Sequence, residues 1–512
     1  MYNINAVALN LHDHNTYDGK THNQRSRHTR FKYNLPYHVD AYRDHPTETK
    51  INVNDYRLND EFIKEYFKHE EGKVLAFTYT QGGIKKSKDE LFKTILKYNQ
   101  KILSYKPKKL WDYYFNDDVY YIDHHQSHAA YAFLLSGYAQ SDILAIDGIG
   151  AEFRAIFVDK DKNIIDLSKK LPLGWLWNQM SKITGFGPLG AGKLMGLVGY
   201  GKYSDYYKEV LDLIFEDPNL EKSNKLHTLV NVEKYGKEDL AFTLQKFTLD
   251  KIKEIIYPLK TCNSICLSGG VAYNGYMNEM FTEHYDNVFV PPAVGDEGQA
   301  LGTYMHADFM LNNRYHKPDT FAGTDYVIYP EMLSGLKYRK CELDEVAREI
   351  ANGKIVGWYQ GRSESGNRAL GNRSILADPR NPNIKDIINH TIKKREDFRP
   401  FAPAVLEEYY KEYFDTKSDS PYMSRIVKVI SDKIPGVTHV DKTARIQTVN
   451  KDFNKKFYNL IMEFNKITGI PMLLNTSFNC KEPIVETPEH AIRTFKKTAL
   501  DILVINDWII RK

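Results

Sequence analysis

The sequence predicts a mixed α/β protein built as two domains. The chain has 512 residues, enough for more than one hydrophobic core. Short apolar runs of strand length recur between stretches of helical periodicity. A segment over 311–338, marked by Asn312-Asn313, Pro318, Gly323, Pro330 and Gly335, separates two such series. The expected domains are therefore 1–335 and 336–512.

Val7-Ala8-Leu9-Asn10-Leu11 is the first strand candidate and leads into His12-Asp13-His14. Arg25, Arg27, Arg30 and Lys32 then make a local basic cluster, either a solvated loop or an anion site. Helical patterns over 59–110 are broken by the strand Val74-Leu75-Ala76-Phe77-Thr78-Tyr79.

The run His124-His125-Gln126-Ser127-His128 is the strongest chemical signal. On a helix, His124 and His128 lie one turn apart on one face, where a single metal ion can meet both. A zinc-protease motif needs Glu after the first His, and His125 stands there instead. Asp147, at the end of the buried strand Ile143–Ile146, is a candidate third ligand, and Asp296 in Gly295-Asp296-Glu297-Gly298 a fourth. An isolated His pair at this spacing is more readily structural than metal-binding, and the rest of the chain, the two carboxylates included, reverses that. Phe153–Val158 should return antiparallel to the strand before Asp147.

Gly185 to Gly196 nearly spells a P-loop around Gly192-Lys193. Leu194 stands where Ser or Thr would hold magnesium, and no strand leads in, so the expectation is a loop packed close to a ligand. Ile265–Ser268 followed by Gly269-Gly270 and Asn274 reads as strand, turn and helix start, offering backbone N–H groups to an anion or nucleotide.

The second domain should open with a helix from Leu343 to Ile350 and the strand Ile355–Tyr359. Arg362, Arg368, Arg373, Lys393, Arg395 and Arg399 are interspersed with Gly and Pro, a spacing suited to a phosphate pocket rather than one charged helix face. Ser477 and Asn479 follow an apolar strand and can bond phosphate or ribose.

Composition excludes several classes. Hydrophobic residues at 42% and charged residues at 27% are ordinary for a globular protein. A net charge of +4, from 70 basic and 66 acidic residues, leaves no whole-protein footprint for polymeric nucleic acid. Four scattered cysteines make no disulfide framework or CxxC metal pair. With no signal-peptide pattern and no membrane-length apolar run, the expectation is a cytoplasmic chain without a membrane partner.

Together these segments resemble the O-carbamoyltransferases of the nodulation and antibiotic-tailoring type, the family of tobramycin and cephamycin carbamoyltransferases. The matching blocks run from residue 6 to about 505, and Gly361 to Arg380, Lys393 to Pro403 and 473–479 are the most specific. The resemblance implies an N-terminal domain of the actin/Hsp70-kinase (ASKHA) type with a bound metal, iron(II) or another divalent transition metal. It implies a C-terminal YrdC-like α/β domain that makes carbamoyl adenylate from carbamoyl phosphate and Mg-ATP. The first domain would transfer the carbamoyl group to a hydroxyl of a small acceptor: a sugar, a secondary metabolite or a hydroxymethyl-pyrimidine nucleotide. Carried over by position, His124, His128, Asp147 and Asp296 would hold the metal. Lys393, Arg399, Ser477 and Asn479, with Arg368 and Arg445 beside them, would bind carbamoyl phosphate and ATP. Gly269, Gly270 and Asn274, with Arg30, Lys32 and Lys193, would contact the adenylate in the first domain. His12-Asp13 falls on the family's catalytic pair; His14 competes with His12 for the base. A homodimer is compatible with this reading. Two alternatives stand beside it: a fused threonylcarbamoyl-adenylate enzyme acting on tRNA, and a non-catalytic nucleotide-binding protein.

Overall fold

The computed structural model describes residues 3–9, 14–17, 19–20, 22–24, 73–79, 107–116, 119–148, 153–187, 190–217 and 226–512. His12, Asp13, Arg30 and Lys32 lie outside the described residues. The chain forms two compact units, and among the described residues the second begins at Thr320. Both units mix helices with sheets, as the sequence predicts.

The first unit holds two sheets. One contains β1 (Asn3–Leu9), β2 (His14–Tyr17), β3 (His22–Gln24), β4 (Lys73–Tyr79), β5 (Tyr114–Asn116) and β6 (Val119–Tyr121), in the order β3-β2-β1-β4-β6-β5. The other contains β7 (Asp142–Ile146), β8 (Ala155–Val158), β9 (Ile164–Asp166), β10 (Ser264–Ser268) and β11 (Asn287–Phe289), in the order β11-β10-β7-β8-β9. In each, three strands form an antiparallel meander, and the first of them continues through two parallel neighbours. This repeated topology is the duplicated sheet of the actin/Hsp70-kinase fold. Every residue of β7 is buried, which explains why Asp142–Ile146 reads as an unbroken apolar run after its first residue.

Helix α1 (His124–Ser136) starts where it does because Asp123 caps it. The Asp123 carboxylate accepts from the backbone N–H of His125 at 2.8 Å, and Gln126 reaches back to the Asp123 N–H at 3.2 Å. Gln126 also donates to the carbonyls of Lys109, Leu110 and Asp112. Gly137 ends the helix in a left-handed conformation, at φ 73°. Helix α2 (Gln299–Asn312) packs on α1 at very short range. A Cβ at Gly302 would stand 2.1 Å from the Ser127 carbonyl oxygen, so only glycine fits. Ser127 Oγ donates to Gln299 O at 2.8 Å and locks the pair in register.

The second unit is a ten-stranded sheet with helices against it. In chain order its strands are β12 (Lys337–Lys340), β13 (Val356–Tyr359), β14 (Arg373–Ala377), β15 (Ala402–Leu406), β16 (Phe414–Asp415), β17 (Arg425–Val429), β18 (Thr443–Val449), β19 (Met472–Ser477), β20 (Ile502–Ile505) and β21 (Trp508–Arg511). They are arranged β12-β21-β20-β13-β14-β19-β15-β18-β17-β16. Trp358, Leu376, Leu473, Leu474 and Val504 form the core with Phe457, Leu460, Ile461 and Phe464 of α3 (Lys455–Thr468). The segment after Thr320 packs with this unit. Ser365 N–H donates to Thr320 O at 2.7 Å, and Leu333 is fully buried in the core. No helix among the described residues is long and apolar enough to cross a membrane.

Candidate metal centre and anion site

Four side chains converge in the first unit. His124 and His128 come from the first turns of α1. Asp147 follows β7, and Asp296 opens the turn before α2. One donor atom from each lies within 4.8 Å of all the others. His128 Nε2 is 3.1 Å from Asp147 Oδ2 and 3.5 Å from Asp296 Oδ1. His124 Nε2 is 3.2 Å from Asp296 Oδ1 and 3.7 Å from Asp147 Oδ2. Both imidazoles are buried. The two rings stand nearly perpendicular, 4.8 Å between centroids.

The electrostatics follow from this packing. Burial pulls the His124 imidazole down, but Asp296 and Asp147 outweigh it and raise it to about 10. His128 is raised in the same way, with Asp147 and Asp296 prevailing over burial. Burial pushes Asp147 up, and the two imidazoles hold it well below the usual carboxylate range. Asp296 is lowered as well, the imidazoles overcoming burial and the repulsion of Asp147. His125 behaves oppositely, driven to about 3 by burial and by its charged neighbours His124 and His128. Neither ring nitrogen of His124 makes a well-formed hydrogen bond, although the ring is fully buried. Two buried imidazoles facing two carboxylates, with that much nitrogen left unsatisfied, fit a divalent transition metal.

Glycines shape the floor of this cluster. Gly269, at φ +82°, lies so close to β7 that a Cβ would sit 2.3 Å from Ile146 O. A Cβ at Gly270 would stand 3.0 Å from Asp147 Oδ1. The Gly-Gly turn expected to face an anion therefore abuts a candidate ligand. Asn274 caps the helix Gly275–Met280 through its side-chain oxygen, and its amide donates to Gln245 Oε1 at 2.9 Å. Lys193 lies in the short helix Ala191–Met195, its ammonium 5.8 Å from the centre of the Phe186 ring. A helix, Leu173–Ile183, precedes that glycine-rich segment where a P-loop would have a strand. His14 opens β2, paired with Leu9.

Glu297, next to Asp296, is a further residue of the site. It is buried beside Asp296, accepts from the Tyr273 hydroxyl and from Gly295 N–H, and so ties the Asp296 turn to the Gly269–Tyr273 turn. The adjacent Asp-Glu pair was the available signal.

In the second unit, Lys393, Ser477 and Asn479 meet. Lys393 ends a wide helical turn, Ile388–Lys393, and is buried. Its ammonium donates to the Ser477 carbonyl, to Ser477 Oγ at 3.1 Å and to Asn479 Oδ1 at 2.7 Å. Ser477 Oγ donates to Asn479 Oδ1 at 2.9 Å. Arg399 lies 3.6 Å from Glu396, and Arg445 of β18 donates to Met423 O at 3.3 Å. Arg368 sits half-buried in the loop before β14.

Arg373 corrects the phosphate-pocket reading of the basic segment. It is fully buried, with its guanidinium 3.7 Å from the centre of the Tyr359 ring. It donates to the carbonyls of Gln360, Asn372, Gly361 and Glu486. Both of its terminal nitrogens are committed to backbone carbonyls, so it holds structure rather than phosphate. Arg362 likewise donates to Gly323 O and Ala322 O.

Comparison with known proteins places this geometry. Residues 39–305 match the family described as Carbamoyltransferase N-terminus, and residues 347–512 match Carbamoyltransferase C-terminus. Nodulation protein NolNO of Sinorhizobium fredii is 35% identical over 442 residues, which is 77% of this chain and 64% of that protein. The chain thus spans under two thirds of that relative's length. Nodulation protein NolO of Bradyrhizobium diazoefficiens is 35% identical over 438 residues, 76% of this chain and 79% of the relative. The 3'-hydroxymethylcephem-O-carbamoyltransferase of Amycolatopsis lactamdurans is 31% identical over 315 residues, 56% of this chain and 58% of its own length. On these matches, which together take in both units, the chain belongs to the carbamoyltransferase family.

Proposed function

We propose that the protein is an ATP-dependent O-carbamoyltransferase with two separate reaction sites. Its second unit, read as the YrdC-like domain, makes carbamoyl adenylate from carbamoyl phosphate and Mg-ATP: water splits phosphate from carbamoyl phosphate, and the carbamate oxygen bonds to the α-phosphorus of ATP as diphosphate leaves. Its first unit transfers the carbamoyl group to a hydroxyl acceptor. The observation that carries this is the coexistence of the His124, His128, Asp147 and Asp296 cluster with the buried Lys393, Ser477 and Asn479 hub.

In the second unit, Lys393 offers a point charge, and Arg368 and Arg399 offer planar forks for phosphate oxygens. Ser477 and Asn479 orient the Lys393 ammonium through the bonds described above, while Arg445 stands at the edge of the nucleotide position. In the first unit, the backbone around Gly269 and Gly270 lets a ligand approach without side-chain obstruction.

His124, His128, Asp147 and Asp296 would hold the metal, iron(II) or another divalent transition metal. When bound, it supplies Lewis-acid polarisation of a carbonyl oxygen. His12 or His14 takes the proton from the acceptor hydroxyl, since imidazole titrates near neutrality and an alcohol is a poor nucleophile without a base. The hydroxyl oxygen bonds to the carbamoyl carbon, and AMP leaves. One relative's name specifies a hydroxymethyl group on a cephem. For this chain we propose a hydroxyl on a sugar, a secondary metabolite or a hydroxymethyl-pyrimidine nucleotide.

The test is AMP formation by the purified chain with ATP, magnesium and carbamoyl phosphate, where water takes the acceptor's place and releases AMP from the adenylate, against a control with bicarbonate and threonine. AMP that requires carbamoyl phosphate supports the proposal. AMP only in the control overturns it in favour of a threonylcarbamoyl-adenylate enzyme.

A further inference from the structure

We propose that Glu364, Gln447 and Asn475 are positioning residues that lock the loop carrying Arg368 into one fixed jaw of the anion site. The inference rests on the carbamoyl-phosphate reading of the second unit.

All three side chains are buried, Glu364 and Gln447 fully and Asn475 to within 1%. Gln447 comes from β18, Asn475 from β19 and Glu364 from the start of the loop itself, and together they hold the loop 364–373. Glu364 Oε1 takes its amides, accepting from Leu370 N–H at 2.6 Å and from Asn372 and Arg373 N–H at 3.3 Å each. Gln447 and Asn475 take its carbonyls. Gln447 Nε2 donates to Leu370 O at 3.0 Å, and Asn475 Nδ2 donates to Ala369 O at 3.0 Å. The two amides also meet each other, Asn475 Nδ2 donating to Gln447 Oε1 at 2.8 Å.

Each amide has only one workable orientation. A backbone carbonyl can only accept, so Nδ2 and Nε2 must be the ends that face Ala369 and Leu370. That leaves Gln447 Oε1 to accept from Asn475, while the buried Asn475 Oδ1 stays outside the chain of amides. The bond between the amides has to cross an intervening strand. Asn475 lies opposite Ala402, and Gln447 opposite Ala404, both on β15 between β18 and β19. Methyl side chains at those two positions leave room for the amides to meet above the strand.

The grip falls beside the residue it would serve. Arg368 immediately precedes Ala369, whose carbonyl Asn475 holds. Asn475 and Ser477 are two apart on β19, so they share one face of the sheet. The fixed loop therefore enters on the side where Ser477 meets Lys393. Gly371, at φ +109°, presses on α3, where a Cβ would stand 2.3 Å from Phe457. Trp358 Nε1 holds the Gly371 carbonyl at 2.8 Å. A loop held by five side-chain bonds to its backbone, with Trp358 adding a sixth, has little freedom left. A guanidinium mounted on it is pre-organised for its anion.

The test is a double-mutant cycle read by calorimetric binding of carbamoyl phosphate to the full chain. Asn475→Leu removes the Ala369 contact, and Arg368→Ala removes the group it positions. We expect Asn475→Leu to weaken binding about tenfold, the scale of one buried hydrogen bond. Added to Arg368→Ala, it should cause no further loss, because there is no guanidinium left to position. Gln447→Met, which cuts the same chain of amides at its other end, should be masked by Arg368→Ala in the same way. Unchanged affinity in Asn475→Leu, or losses that multiply in the double variant, would overturn the proposal. AMP formation by the wild-type chain is measured in parallel. If the wild type binds carbamoyl phosphate but makes no AMP, the proposed reaction fails and the cycle still decides on the loop. If it does not bind carbamoyl phosphate at all, both fail.

Discussion

His128 Nε2 lies 3.1 Å from Asp147 Oδ2, joining the second turn of a buried helix to the end of a buried strand. With His124 opposite Asp296, cation-forming and anionic groups alternate around one point. Such a buried constellation is worth little to stability if it is only an ion pair, because desolvation offsets the attraction. A bound metal would give it a purpose.

Metal content tests this directly. Loading the chain with iron(II) under anaerobic conditions should give close to one metal per protein by elemental analysis. Asp147→Asn and His124→Ala should each lower metal affinity by about 100-fold, because each removes a direct ligand rather than an outer-shell partner. Occupancy equal to wild type in both variants would count against the centre.

The glycine floor should tolerate no side chain. Gly269→Ala places a Cβ against Ile146 O in a left-handed backbone, so the variant should unfold about 2–4 kcal/mol more easily in urea. Gly270→Ala should cost less stability but lower metal affinity, since its Cβ meets Asp147 Oδ1 at 3.0 Å. Wild-type stability of Gly269→Ala would show that the turn is not packed as described.

His306 gives the first unit an acid-sensitive element away from the metal ligands. It is fully buried, with Nδ1 2.7 Å from the Tyr120 hydroxyl and Nε2 2.8 Å from the Leu110 carbonyl. The neutral ring satisfies both contacts, with Nε2–H donating and Nδ1 accepting. Burial lowers its pKa to about 4 from an ordinary value of 6.5. The unfolded chain therefore takes up a proton first as the pH falls. The associated stability is fully present above pH 6.5 and is lost as the pH drops towards 4, amounting to about 2 kcal/mol by pH 5. Urea unfolding at pH 7.5 and pH 5 should show a smaller pH penalty in His306→Gln than in wild type. Equal penalties would contradict this account.

Two basic residues of the second unit should separate cleanly. Arg373→Met takes the guanidinium from four buried carbonyls, of which Asn372 O and Glu486 O keep a second donor and Gln360 O and Gly361 O do not, and should destabilise the fold by about 3 kcal/mol. Lys393→Met leaves Ser477 and Asn479 bonded to each other and should shift stability by only about 1 kcal/mol while abolishing AMP formation. Thermal unfolding and chromatography of AMP on the same preparations distinguish these outcomes.

The metal cluster was readable in the sequence because its signals are local. Two histidines four apart and a carboxylate at the end of an apolar run each follow from a short-range rule. Residues whose roles depend on the sheet were not readable. Glu364, Gln447 and Asn475 come together only because β18 and β19 flank an alanine-faced strand, and no spacing in the chain announces that. Arg373 looked like a phosphate ligand because a glycine-flanked arginine gives the same sequence signal whether it faces solvent or backbone carbonyls. The duplicated sheet of the first unit was hidden for a related reason. The two copies repeat a strand order, which burial enforces, without repeating residues.

The central claim is that adenylate formation and carbamoyl transfer occupy different sites, and one comparison tests it most directly. AMP and diphosphate should be quantified for the wild type, His124→Ala and Lys393→Met, each with ATP, magnesium and carbamoyl phosphate and no acceptor. The account predicts carbamoyl-phosphate-dependent product from the wild type and from His124→Ala, and none from Lys393→Met. Loss of the reaction in His124→Ala to the same extent as in Lys393→Met would contradict it.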